Sequence, residues 1–258
     1  NLKISRPFDF SVIFVYEIIR KCAAKTNFYQ KNLPKKISDA IIFACNDILN
    51  NPEKYSNEFP IPVFQTGSGT QTNMNVNEVI ANKANEKLGG KLGKYEFVHP
   101  NDHVNMSQST NDTFPTATLL GVVLAVEDNL IPALKILFKS LNKKTKKFEK
   151  IIKVGRTHLQ DATPITLGQE FSGFESMIKN DLKRIELALK ECIELPIGGT
   201  AVGTGLNTLS GYDELMTSFI SEETGLDFKV CKNKFELLSS QNAISNLSSQ
   251  IRICAGSL

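Results

Sequence analysis

Cysteine is sparse and ill-placed for cross-linking. Cys22, Cys45, Cys192, Cys231 and Cys254 are odd in number, widely spaced and include no CxxC pair. That usage argues against a disulfide framework or a cysteine zinc site, and it suits small buried thiols in a reducing compartment. Histidine is scarcer still, with only His99, His103 and His158. His99 and His103 are four apart, but no HExxH and no third ligand accompanies them, so no metal is expected. Charge of one sign is also lacking. The net charge of +3 is too mild to indicate nucleic acid, and no basic stripe alternates with aromatics. The most basic stretch, 139–153, reads as the lysine-covered face of a helix. The sequence shows no internal repeat, no strong series of strands, no signal peptide and no run read as membrane-spanning. No membrane partner is expected.

What is present is helical period. With 41% hydrophobic residues in 258, the chain can bury a sizeable core, as one large domain or two smaller ones. Apolar residues at Val12, Phe14, Val15, Ile18, Ile19 and Cys22 predict a helix over 10–31. A second is predicted over 34–50 with Pro34 in its first turn, and a third over 73–88, stopped by Gly89 and Gly90. Residues 59–64, with Pro60 and Pro62, read as extended connector. The apolar segment 112–148 predicts a long helix kinked at Pro132. Further helices are predicted over 167–195, 211–224 and 236–258, the last without a stop signal. Residues 155–164 and 196–210 read as loops. The expected fold class is mostly α. An N-terminal helical domain is expected over 1–108 and long bundle helices over 109–258, incomplete at the C-terminal end.

Four polar, glycine-containing segments interrupt these helices. GSGTQTNMNVNEVIAN (67–82) offers Ser68, Thr70 and Thr72 ahead of a helix, where free backbone N–H groups attract anions. For the loop taken alone, a plain serine/threonine cap after a flexible turn is the more economical explanation. No Gly-Lys-Ser/Thr follows, so it is not a phosphate loop. HPNDHVNMSQSTND (99–112) sets Ser109, Thr110, Asn111 and Asp112 at a helix start. Capping accounts for one of them, and the others could hold a carboxylate. GRTHLQDATPITLGQEF (155–171) carries His158 beside Thr157; the histidine is either structural or a general base, because imidazole titrates near neutrality. GGTAVGTGLN (198–207) is glycine-rich but lacks the strand and βαβ unit of a dinucleotide site.

Together and in this order, the four segments resemble class II fumarase, of the fumarase/aspartase superfamily. Thr157-His158 is similar to fumarases, whereas aspartases tend to carry Thr-Gln. The resemblance implies reversible hydration of fumarate to (S)-malate without a cofactor. It implies substrate contacts from Ser68, Gly69, Thr70, Ser109, Thr110, Asn111 and Thr157, and proton transfer by His158. It implies a second anion site at His99, Pro100, Asn101 and Asp102, where Glu96 would repel a dicarboxylate. It also implies a homotetramer built on a shared central helix bundle, with active sites drawn from three subunits, located in the cytoplasm or the mitochondrial matrix. The family's base is a serine within GSSxMPxKxN, and no such string occurs here. The chain is therefore expected to be cut short at both ends and inactive by itself. The alternatives are an aspartate ammonia-lyase of the same superfamily and a non-catalytic helical assembly protein.

Overall fold

A computed structural model describes residues 6–258. The chain is mostly helical, as its periodicity indicates. Helix α1 (Phe10–Tyr29) starts where the Asp9 carboxylate accepts the Ser11 N–H at 2.9 Å. Helix α2 (Lys35–Asn50) begins one residue later than expected. Pro34 is its N-cap, held extended with ψ 142°, rather than part of the first turn. A short α3 (Pro52–Tyr55) follows. Helix α4 (Thr70–Lys87) begins three residues earlier than predicted, so Thr70 and Thr72 lie inside it rather than ahead of it.

Helices α5 (Thr110–Ala125) and α6 (Ile131–Lys147) fill the segment read as one kinked helix. A π-helical stretch, Val126–Leu130, joins them immediately ahead of Pro132. Proline has no N–H for the carbonyl four residues back and its ring crowds that carbonyl, so the wider turn falls where the ladder is already broken. By length and composition alone, Thr110–Lys147 could cross a membrane, contrary to the sequence reading. Core helices meet the same test, and Leu119, Leu120 and Val123 of α5 are buried within the protein.

Three further expectations are corrected. Residues 155–164 are not a loop but most of a β-hairpin, β1 (Ile152–Thr157) and β2 (Gln160–Thr166). Helix α7 (Leu167–Leu189) opens on a Thr166/Gln169 capping box and stops short of 195. Glu194–Leu195 instead forms β3, paired in parallel with β4 (Lys229–Val230). Beyond α8 (Tyr212–Thr224), the predicted terminal helix divides into α9 (Lys234–Ser239) and α10 (Asn242–Ser257), because Ser240 is extended.

The chain forms two compact units: one contains the residues up to Gly121 plus Ile193–Ser240, the other Val122–Cys192 plus Gln241–Leu258. In the first, α1 packs against α2, α4 and α8. Its core includes Ile19, Cys22, Ile41, Ile48, Ile80 and Met216, all essentially inaccessible. In the second, α7 packs against α6 and α10, burying Ile178, Ile185, Leu189 and Leu247. Apolar side chains of that unit, among them Ile136, Phe174, Met177, Leu187 and Ile253, remain exposed.

Candidate active site

In the first unit, the starts of α4 and α5 lie together. Gly69 takes φ +67° and ends the loop before α4. Phe114, one turn into α5, packs on it so closely that a β-carbon on Gly69 would lie 2.1 Å from Phe114 Cδ2. The absence of a side chain there is what lets the two helix starts abut. Gln65 fastens the loop. Its amide N–H donates to Thr72 Oγ1 at 2.8 Å and its carbonyl accepts the Thr72 N–H at 3.2 Å. The Ser68 and Thr70 hydroxyls stand 3.1 Å apart, and both residues are exposed.

The second loop is held by Asp112. Its Oδ1 accepts the Ser109 N–H at 2.9 Å, while Oδ2 accepts those of Gly198 at 3.0 Å and Thr200 at 2.9 Å. Thus the glycine-rich loop, given no residue role by the sequence, is fixed to the start of α5. Asn111 adds a third bond to that loop, donating its amide N–H to the Ala201 carbonyl at 2.8 Å. The Ser109 hydroxyl accepts the Asn111 N–H at 3.2 Å. Burial raises the Asp112 pKa, opposed by those three backbone N–H groups and by Arg20.

Arg20, on α1, is fully buried beneath these loops. Its guanidinium donates to the side-chain carbonyls of Gln108 and Asn73, and to that of Asn105 at 3.0 Å. Asn73 and Asn77 each donate to Asn105 Oδ1 at 3.3 Å. A cation taken out of water must be met by several acceptors, and three amide side chains do so here. Sequence reasoning assigned no role to Arg20, Asn73, Asn105 or Gln108, and it placed Asp112 among the cap or carboxylate-binding candidates rather than as the buried acceptor that it is. The available signals were an arginine on a buried apolar face and the run of asparagines in 73–77.

The remaining candidates are placed as follows. Thr110 is the first residue of α5. Pro100 is buried and opens a π-helical turn, Pro100–Val104. His99 Nδ1 accepts the N–H groups of Asn101 at 3.3 Å and Asp102 at 3.2 Å, and lies 3.2 Å from the Asp102 carboxylate. Those backbone donors are therefore already engaged. His103 accepts the His99 N–H at 2.8 Å, and burial lowers its pKa.

Thr157 and His158 belong to the second unit. Thr157 pairs with Gln160 at the hairpin end, and His158 and Leu159 form the two-residue turn with φ +50° and +62°. Positive φ at both central positions matches the twist of the flanking strands. It leaves His158 exposed at the hairpin tip. Among the described residues no cluster of three or more histidine, cysteine, aspartate or glutamate side chains could hold a metal.

Two helix starts carrying hydroxyls and an oriented amide thus lie together on a mostly helical frame, an arrangement able to donate hydrogen bonds to an anion. A family model described as Lyase matches residues 3–258, and the chain belongs to that lyase family. Over 247 residues it is 48% identical to the class II fumarate hydratase of Thermus thermophilus, covering 96% of this chain and 52% of that protein. It is equally 48% identical, over 247 residues, to the mitochondrial fumarate hydratase of Rattus norvegicus, covering 96% and 48%. The crystal structure of class II fumarase from Schistosoma mansoni superposes with a TM-score of 0.95 at 38% identity, covering all of this chain and 56% of that one. The chain spans about half the length of the relatives it matches.

Proposed function

We propose that this chain carries substrate-binding and proton-transfer residues of a fumarate hydratase, which adds water reversibly and in anti fashion to fumarate to give (S)-malate. The observation that carries the reading is the clamped donor set at Ser109, Thr110 and Asn111. The Asn111 amide donates one N–H to Ala201, which fixes its orientation and leaves its second N–H for a carboxylate. Ser68, Gly69 and Thr70 supply the neighbouring donors, and Thr157 a further hydroxyl.

The chemistry requires such donors. Removing the proton beside the malate carboxylate produces a dianionic aci-carboxylate. Fixed hydrogen bonds stabilise charge that appears only as that proton leaves. His158, acting through a water, protonates the departing hydroxide in dehydration and activates water in hydration. The carbon proton belongs to the family's serine segment, whose string is not in this sequence. No cofactor enters the reaction. A homotetramer with active sites shared between subunits is supported by the apolar side chains that α6, α7 and α10 leave exposed. The cytoplasm is the proposed location, or the mitochondrial matrix; the rat relative is described as mitochondrial. His99, Pro100, Asn101 and Asp102 form the second anion site in this reading, of low affinity because its backbone donors are engaged and Glu96 is near in sequence.

The test is loss of fumarate ultraviolet absorbance with the purified protein and no ammonium. Loss that disappears in His158→Asn supports the hydratase. Activity that needs ammonium would replace it with an aspartate ammonia-lyase. Inactivity under both conditions would leave the family membership standing and accord with the absence of the serine string from this sequence, and it would keep a non-catalytic helical assembly open.

A further inference from the structure

Asp112 is buried, touches no solvent and is left unused by the proposed chemistry, yet it is the most heavily bonded carboxylate at the site. Its two oxygens divide their work. Oδ1 accepts from Ser109 N at 2.9 Å, within the first turn of α5. Oδ2 accepts from Gly198 N at 3.0 Å and Thr200 N at 2.9 Å, in the glycine-rich loop. The loop it holds is under constraint: Gly198 has φ +85° and Thr200, a β-branched residue, has φ +55°. A threonine in that region is disfavoured by about 1–2 kcal/mol, so something must hold it there. The same loop supplies the Ala201 carbonyl that orients the Asn111 amide at 2.8 Å.

We infer that Asp112 is a positioning residue: it clamps the 198–201 loop to the start of α5 so that the Asn111 amide is aimed at the substrate carboxylate. This rests on the fumarate reading for its ligand, but the clamp itself is a property of the loops. A neutral isostere cannot serve both sides. An asparagine must turn an NH2 toward either Ser109 N–H or the Gly198 and Thr200 N–H groups, placing donor against donor. The Arg20 guanidinium below the loops supplies further charge compensation to Asp112.

The experiment compares Asp112→Asn with the unsubstituted protein in two readouts. In amide hydrogen exchange, protection of Gly198 and Thr200 falls at least tenfold while the α1 and α2 core amides are unchanged. In the fumarate assay, KM rises about tenfold or more, a split that a lower yield of folded protein could not produce. Unchanged KM alongside lost loop protection would overturn the positioning role. Unchanged protection would overturn the clamp. An unsubstituted protein that neither binds nor hydrates fumarate would sink the functional reading and the proposed ligand, and the exchange data would still decide the clamp. If Asp112→Asn fails to fold, Asp112→Glu provides the second variant. It keeps the charge but its longer stem displaces the two oxygens from the N–H groups of Ser109, Gly198 and Thr200, so it should lower Gly198 protection and raise KM about threefold; no change in either would overturn the inference.

Discussion

The ring of Phe114 packs against the bare α-carbon of Gly69, which has φ +67°, leaving no room for a β-carbon: one there would stand 2.1 Å from Phe114 Cδ2. Gly69→Ala therefore meets two penalties, a left-handed backbone and a steric overlap, and should cost about 2 kcal/mol or more. In Gly69→Ala/Phe114→Ala the overlap is gone and only the backbone term remains. Urea unfolding of both single variants and the double variant measures the interaction. Simple additivity would show that the ring is not what excludes the side chain.

Arg20 carries the buried amide network beneath the site. Arg20→Met removes the guanidinium donors of Gln108 and Asn73, leaving those two carbonyls unmatched, while Asn105 Oδ1 keeps the amides of Asn73 and Asn77. The expected loss is about 3–5 kcal/mol. Arg20→Lys keeps the charge but not the forked geometry and should fall between the two. Equal stability of the methionine variant and the unsubstituted protein, by denaturant unfolding, would mean that the network contributes nothing.

Glu17 is buried on α1 without a hydrogen-bond partner for either carboxyl oxygen by geometry. Burial pushes its pKa well above the ordinary 4.5, against weaker opposing effects of Cys45 and Arg20. The folded state thus binds the proton more tightly than the unfolded chain does. Its contribution to stability is fully present below pH 4.5 and is lost as pH rises toward the folded pKa. Glu17→Gln does not titrate, so it should flatten that decline. Urea midpoints at about pH 5 and pH 7 decide the matter; an identical slope in the two proteins would refute the assignment.

His158 sits exposed in a turn at φ +50°. Asparagine tolerates that conformation well, so His158→Asn changes the chemistry and spares the hairpin. Loss of a proton-transfer group should lower kcat about 10²–10⁴-fold with little change in thermal midpoint. A variant with full activity would remove His158 from the mechanism.

The sequence alone determined the helical class, most helix positions and the loops that matter, because these are local: apolar period, cap chemistry and glycine punctuation are written in neighbouring residues. Its own residues also pointed to Ser109, Thr110 and Asn111 as more than a cap. What it could not decide depended on residues distant along the chain. The hairpin at 152–166 does carry β-branched residues, Ile152, Val154 and Thr157 in one strand and Thr163, Ile165 and Thr166 in the other. Gly155, Pro164 and a His158-Leu159 turn without asparagine or glycine mask it; pairing of Ile152 with Thr166 and a positive-φ turn at His158 define it. The predicted helix to 195 stops early because Glu194 and Leu195 find a partner strand at Lys229 and Val230. Arg20 is 85 residues from Asn105, and Asp112 is 86 from Gly198. Burial makes those polar bonds obligatory, since an unmatched charge or N–H in the interior costs more than folding can spare. Only the tertiary packing of α1, α4, α5 and the glycine-rich loop selects which partners meet.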